Sequence, residues 1–374
     1  MNLQVQPPSV FERLKHALSR PRAWLRSKIR RLLFSTLDKW ISTDEGRESV
    51  ADAVRGLSAA RLCISSEAFR SPYPDLAAQA AVTTGSSVPP IFITARFRSG
   101  STLLWNIFRH IPQCTAYYEP LNERRWFDAT RRQAHVDATH LHVDDYWREY
   151  DHLPQLVNSF RDAWNWRHFY MDADYPDPQL HRYISTLIEG APGRPVLQFN
   201  RIDFRLPWIR RHFPAAFILH LYRHPRDQWT SMLLDDRDFP RELTPTAFEP
   251  HDKFYLLRWS RDLRYRFPFL DERSLTHPYQ LSYLIWKLSY AFGQTYANKS
   301  ISFESLTASP DQVLRELLSA TGIETYDLAR LSTLVEPARS GGWRLYADDA
   351  WFAKQEAHCD AILDEYFCAP RTPQ

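Results

Sequence analysis

Apolar runs stand out along this chain. Ile91, Phe92 and Ile93 open one, and Phe217 to Tyr222, interrupted only by His220, form another. Runs without polar alternation are those of strands buried on both faces. Each gives way to a helical pattern, over Leu103 to His110 after the first run and from near Pro225 after the second. Proline suits a first helical turn, and Asp227 close behind it complements the helix dipole. CTAYYEPLNE at 114–123 is strand-like. SPDQVLRELL at 309–318 starts a helix, with Ser309 as cap and Pro310 in the first turn, and Asp348 to Phe367 reads as a terminal helix. Strands alternating with helices predict an α/β fold: a parallel sheet of about five strands, helices on both faces and right-handed crossovers.

The pattern also divides the chain. Residues 10–40 hold nine Lys or Arg against Glu12 and Asp38, with Leu25, Ile29, Leu32, Leu33, Leu37 and Trp40 at helical spacing after Pro21. This basic amphipathic helix suits either packing on a domain or peripheral contact with an anionic membrane. The stretch SPYPDLAAQAAVTTGSSVPP reads as a linker. The expected organisation is a basic helical extension over 1–75, a linker over 76–90 and a domain over 91–374. Within that domain, 120–194 is a long insertion carrying Arg124, Arg125, Arg131, Arg132, Trp126, Trp147, Trp164 and Trp166. Arginine beside aromatic rings suits a sugar-bearing or acidic ligand, and ordinary helix packing has the same composition. There is no internal repeat.

Composition adjusts this picture modestly. A chain of 374 residues with 44% hydrophobic content supplies one large core with an appendage. A net charge of +3 does not point to nucleic acid as a partner. Cys63, Cys114, Cys359 and Cys368 contain no CxxC pair, so free thiols in a reducing, cytoplasmic setting are expected. The histidines form no HExxH pattern, no metal is implied, and His110, His140 and His142 read as surface or substrate-loop residues. No stretch reaches transmembrane length. The 14% aromatic content, with 13 Trp, favours acceptors with flat sugar rings or lipid surfaces.

The chemistry concentrates where strands turn into helices. In IFITARFRSGSTLL at 91–104, Gly100 permits a tight turn and the following helix directs its first amides at an anion. Ser101 and Thr102 add hydroxyl donors, and Arg98 adds a permanent charge with bidentate geometry. A nucleotide triphosphate loop, GxxxxGK followed by Ser or Thr, places a lysine where this chain has Gly100. In AAFILHLYRHPRDQWTSML at 215–233, Arg223 emerges at the strand end, where a nucleotide triphosphatase presents a magnesium-binding Asp. Ser231 lies about two helical turns further on.

RSGSTLL followed by LYRHPRDQWTSML resembles the paired 5'-phosphosulfate and 3'-phosphate motifs of sulfotransferases, over roughly residues 90 to 345. The likeness is nearer the carbohydrate and bacterial branches than the cytosolic branch, which has PKSGTTW. It implies a P-loop-like fold and 3'-phosphoadenosine 5'-phosphosulfate (PAPS) as donor, without a metal. It places Arg98, Ser99, Gly100, Ser101 and Thr102 at the phosphosulfate, and Arg223 and Ser231 at the 3'-phosphate. ISFESLTASPDQVLRELL at 301–318 is similar to the family's YEDL segment, which puts Phe303 on the adenine; a core Phe in a short strand is the other reading. ARSGGWR at 338–344 is a loose version of the RKGxxGDWK loop, implying Arg339, Ser340 and Gly341 as further 3'-phosphate ligands.

Transfer to a hydroxyl needs a base, and Arg98 stays protonated. Glu119 ends the strand-like stretch at 114–123 and is followed by Pro120; strand ends of a parallel sheet share a rim, so it can face Arg98. Burial would raise its pKa and Arg98 would lower it. The resemblance supports this choice, since relatives place a base Glu shortly after the second strand. Glu123 is the reserve, and pairing of Glu119 with Arg124 or Arg125 is the alternative. The cytosolic branch uses a His instead, at a position held in RPVLQFNR by Asn200, which accepts no proton usefully. The expected activity is sulfuryl transfer from PAPS to a hydroxyl of a glycan, glycolipid or small alcohol, with acceptor recognition in the 120–194 insertion. The alternatives are a kinase-like phosphotransferase and a non-catalytic nucleotide- or glycan-binding module.

Overall fold

The computed structural model describes residues 88–132, 136–233, 240–338 and 341–368, with scattered positions between 32 and 50. The chain divides into two units, 1–61 and 62–374. In the first, the described positions at 32, 33, 36, 37, 39 and 40 are helical, and Leu32, Leu33, Leu37 and Trp40 are exposed. The linker proposed over 76–90 lies almost wholly outside the described residues.

The second unit is built on a five-stranded sheet in the order β2-β3-β1-β4-β5. In chain order its elements are β1 (Ile91–Ala95), α1 (Ser101–Arg109), β2 (Cys114–Tyr118), α2 (Pro178–Glu189), β3 (Arg194–Phe199), α3 (Leu206–His212), β4 (Phe217–Tyr222), α4 (Pro225–Met232), α5 (Leu256–Leu263), α6 (Pro278–Tyr296), β5 (Lys299–Ser302), α7 (Phe303–Ala308), α8 (Pro310–Thr321) and α9 (Asp349–Cys368). Every strand pairing is parallel. β1 lies at the centre and all five of its residues are buried, which is why its sequence lacks alternation. This is the expected parallel α/β architecture, with helices around the sheet.

Strand order locates the site. From β1 the chain moves out to β2 at the edge and back to β3 on one side, whereas β4 leads to β5 on the other. The loops leaving β1 and β4 therefore diverge, and the crevice between them is the switch point where ligands of open α/β sheets bind. In register, Thr94 lies beside Phe199 and His220, Tyr118 beside Gln198, and Tyr222 beside Ser302. Residues just beyond these positions, Arg98, Glu119, Asn200, Arg223 and Phe303, consequently share one rim.

The insertion is less regular. It carries short helical turns at Leu156–Ser159 and Ala163–Trp166 before α2. Buried rings hold it together, among them Tyr146, Tyr150, Trp164 and Tyr183. Several of the arginines and tryptophans singled out in the sequence serve this packing. Arg125 pairs with Asp162, Arg132 with Asp151, and Trp164 donates to Asp177. Ser309 occupies the N-cap position of α8 without a side-chain cap bond, while Ser302 caps α7 through the Ser305 amide.

Candidate active site

The loop from β1 to α1 combines two left-handed residues, Arg98 (φ 63°) and Gly100 (φ 90°). Glycine adopts that backbone without steric cost, and arginine does not. A Cβ on Gly100 would run into the Phe303 ring, so only glycine fits between this aromatic and the helix start. The loop is fixed from below by a buried network. Thr94 Oγ1 and Ser289 Oγ donate to Asp203 at 2.6 and 2.8 Å, and the Arg96 guanidinium lies 3.9 Å from the same carboxylate, over the Trp259 ring. Gln228 Nε2 holds the Phe97 carbonyl at 2.6 Å.

Above the loop opens a cavity of about 770 Å³, lined by Arg98, Thr102, Glu119, Arg223, Ser231 and Phe303 among others. The two sequence motifs thus meet in one space. Arg98 Nε donates to both Ser231 Oγ and the Ser231 carbonyl at 3.1 Å, and Arg223 Nη1 donates to the Arg98 carbonyl at 3.1 Å. The Arg223 guanidinium sits 5.0 Å from the Phe303 ring centroid. Burial lowers the Arg223 pKa, and Asp227 and Glu304 offset this. Two cations and the first-turn amides of α1 give this wall a positive electrostatic character suited to an anion.

Other sequence-derived positions fall differently. Gly100 and Ser101 line the cavity, whereas Ser99 is fully buried with its hydroxyl donating to the Arg96 carbonyl at 2.5 Å. The Thr102 hydroxyl is within 3.0 Å of Tyr118 Oη and 3.3 Å of His140 Nε2. The Gly341 amide donates to Asp227 at 3.0 Å, and Gly341 is not among the cavity-lining residues. Arg339 and Ser340 lie outside the described residues.

The opposite wall carries the carboxylates. Glu119 is 7% exposed and left-handed (φ 44°), a turn that follows β2 directly. Asn122 Nδ2 donates to its Oε2, and Asn200 Nδ2 to its Oε1 at 2.5 Å. Burial pushes its pKa from 4.5 to about 7; Arg201 pulls it back, Glu123 adds repulsion, and hydrogen bonds from Asn122 and Tyr118 favour the ionised form. Glu119 makes no ion pair with Arg124 or Arg125 among the described contacts. Glu123 is instead bound to Arg201 at 2.5 Å and to Tyr255 Oη at 2.8 Å. Arg201 is buried between the rings of Phe97, Trp166 and Tyr255, with its other arm on the Leu121 carbonyl.

Two further residues join the site, one of them, His140, already read from the sequence as a surface or substrate-loop residue. His140 lines the cavity, is held by Tyr146 Oη at 2.6 Å, and is depressed to about 4, chiefly by burial, so it is neutral at pH 7. Asn200 was noted only for what it cannot do. Its pairing with Glu119 spans 81 residues, and no local pattern announces it. Of the insertion residues singled out earlier, Arg124 and Trp126 reach the cavity.

An anion-binding loop at a sheet's switch point, facing a buried carboxylate across one cavity, is the layout of an α/β group-transfer enzyme. The chain belongs to the sulfotransferase family, whose model matches residues 89–327. A comparison with curated proteins gives no match. Solved structures that align with it include a sulfotransferase from Alicyclobacillus acidocaldarius, at 16% identity over 76% of this chain and 98% of that one, with a TM-score of 0.34. A mouse sulfotransferase complexed with PAP aligns at 13% identity over 76% and 87%, TM-score 0.35. One from Mycobacterium tuberculosis aligns at 18% over 84% and 83%, TM-score 0.34. These likenesses are distant.

Proposed function

We propose that this sulfotransferase moves the sulfuryl group of PAPS to an acceptor hydroxyl, with Glu119 as base and Arg98 at the leaving group. The supporting observation is that Arg98, Arg223, Ser231 and Glu119 line a single cavity. Glu119 takes the hydroxyl proton as the acceptor oxygen forms its bond to sulfur. The bond from sulfur to the bridging oxygen breaks, and its electron pair leaves with adenosine 3',5'-bisphosphate (PAP). Arg98 and the α1 amides stabilise the charge that develops there. Arg223 and Ser231 hold the 3'-phosphate, and a donor lacking that group leaves Arg223 underused. Phe303, beside Arg223, offers a face for the adenine. What favours Glu119 over Glu123 is that Arg201 and Tyr255 already occupy the latter.

Magnesium ATP and PAP separate this reading from phosphotransfer. A thermal-shift titration is expected to show stabilisation by PAP, since a ligand that prefers the native state raises apparent stability; stabilisation by magnesium ATP alone would overturn the donor assignment. Glu119→Gln is expected to lower turnover by about 10²- to 10⁴-fold with PAP binding intact. For the wild type, kcat/KM rises with pH through about 7, where the Glu119 carboxyl ionises, and then levels. Unchanged turnover in Glu119→Gln removes this residue from the mechanism.

A further inference from the structure

Asn122 and Asn200 grip the two oxygens of Glu119 alike and differ at the other end of the amide. Asn122 Oδ1 accepts the Arg124 backbone N–H at 2.8 Å, so both of its polar atoms are engaged. Asn200 Nδ2 is committed to Glu119, but its Oδ1 is buried without a hydrogen-bond partner among the described residues. Asn200 is 3% exposed and lines the cavity beside Glu119. Leaving a buried acceptor unmade costs about 1–3 kcal/mol, and such groups ordinarily have partners. At a cavity wall, the missing donor is one that a ligand can bring.

The amide's planarity says where that donor must sit. With Nδ2 on Glu119 Oε1 at 2.5 Å, Oδ1 is the other polar atom of the same planar amide, so a donor to it sits next to the carboxylate. Trp126 supplies the complement, because its Nε1 is a buried donor without a partner among the described residues and the side chain lines the same cavity.

We propose that Asn200 is a specificity residue that accepts a hydrogen bond from a second hydroxyl of the acceptor, neighbouring the one Glu119 deprotonates. The acceptor class is then a vicinal diol, as on a sugar ring or polyol. This rests on the reading of Glu119 as base. A diol satisfies Glu119 and Asn200 together. An isolated alcohol satisfies only the carboxylate and leaves Asn200 Oδ1 unpaired, the situation in which sites built for a hydroxyl discriminate most strongly against analogues lacking it.

The test measures transfer from PAPS by the full-length protein to matched probes: trans-1,2-cyclohexanediol against cyclohexanol, and 1,2-propanediol against 1-propanol. The wild type is expected to favour the diol by about tenfold or more in kcat/KM. In Asn200→Leu, both rates fall because Glu119 loses a hydrogen bond, and the diol preference drops toward unity. A merely structural role lowers both rates and leaves the ratio unchanged, which overturns the proposal, as do equal wild-type rates or transfer to neither member of a pair. Should Asn200→Leu fail to fold, judged by its thermal shift with PAP, the wild-type ratio decides. Failure of the base reading shows separately, as undiminished turnover of the same probes by Glu119→Gln.

Discussion

Gly100 shows how one small residue sets the geometry of the loop between β1 and α1. It combines a left-handed backbone with the close approach of Phe303. Gly100→Ala is therefore expected to destabilise the protein by about 1–3 kcal/mol in urea denaturation, from backbone strain and overpacking together. Adding Phe303→Ala should recover the packing part alone, and strict additivity of the two changes would show that the ring is not the obstacle. Adjacent residues of similar type also part company here. Ser99 turns inward to the Arg96 carbonyl while Ser101 lines the cavity. Both serines carry the same sequence signal, and the left-handed turns on either side of Ser99 decide which one faces the ligand.

Among the elements, β1 and β4 were legible because strands buried on both faces must be written in apolar residues, and their helices followed from turn chemistry. Helix bounds agreed closely: the expected 348–367 is Asp349–Cys368. What was not legible depended on distant pairing. Whether an arginine of the insertion meets an aspartate or a cavity is set by which loop folds over which, as with Arg125 and Arg124. Contact between α4 and α9 is another such case. Arg226, three residues beyond Arg223, binds Glu356 and Asp349 of α9 at 2.7 and 2.5 Å and lies over the Trp343 ring. This partly buried pairing braces the helix that carries Ser231. A double-mutant cycle of Arg226→Met and Glu356→Gln is expected to give a coupling energy of about 1–3 kcal/mol, with coupling near zero showing that α9 is only apposed.

For the molecule as a whole, the raised Glu119 pKa links stability to pH. The folded form holds its proton up to about 7 and the unfolded form only to about 4.5, so between these values the folded form binds more protons. This group's contribution is fully present below about 4.5 and is lost as pH rises through about 7. Thermal melts across that window should show Glu119→Gln losing less stability than the wild type as pH increases; parallel curves would mean the carboxyl is not strained by burial. A second cost lies in the backbone. Arg98 and Glu119, the two residues assigned to the reaction, are both non-glycine residues in the left-handed region, a conformation that costs about 1–2 kcal/mol each. Glycine at either place would relax the chain and, on the proposed roles, remove the chemistry, giving a hardier but inert protein. Of the six described non-glycine residues whose backbone bends against its own preference, these two and Tyr255 face the cavity where the proposed reaction takes place, so durability is spent where reactivity is sought.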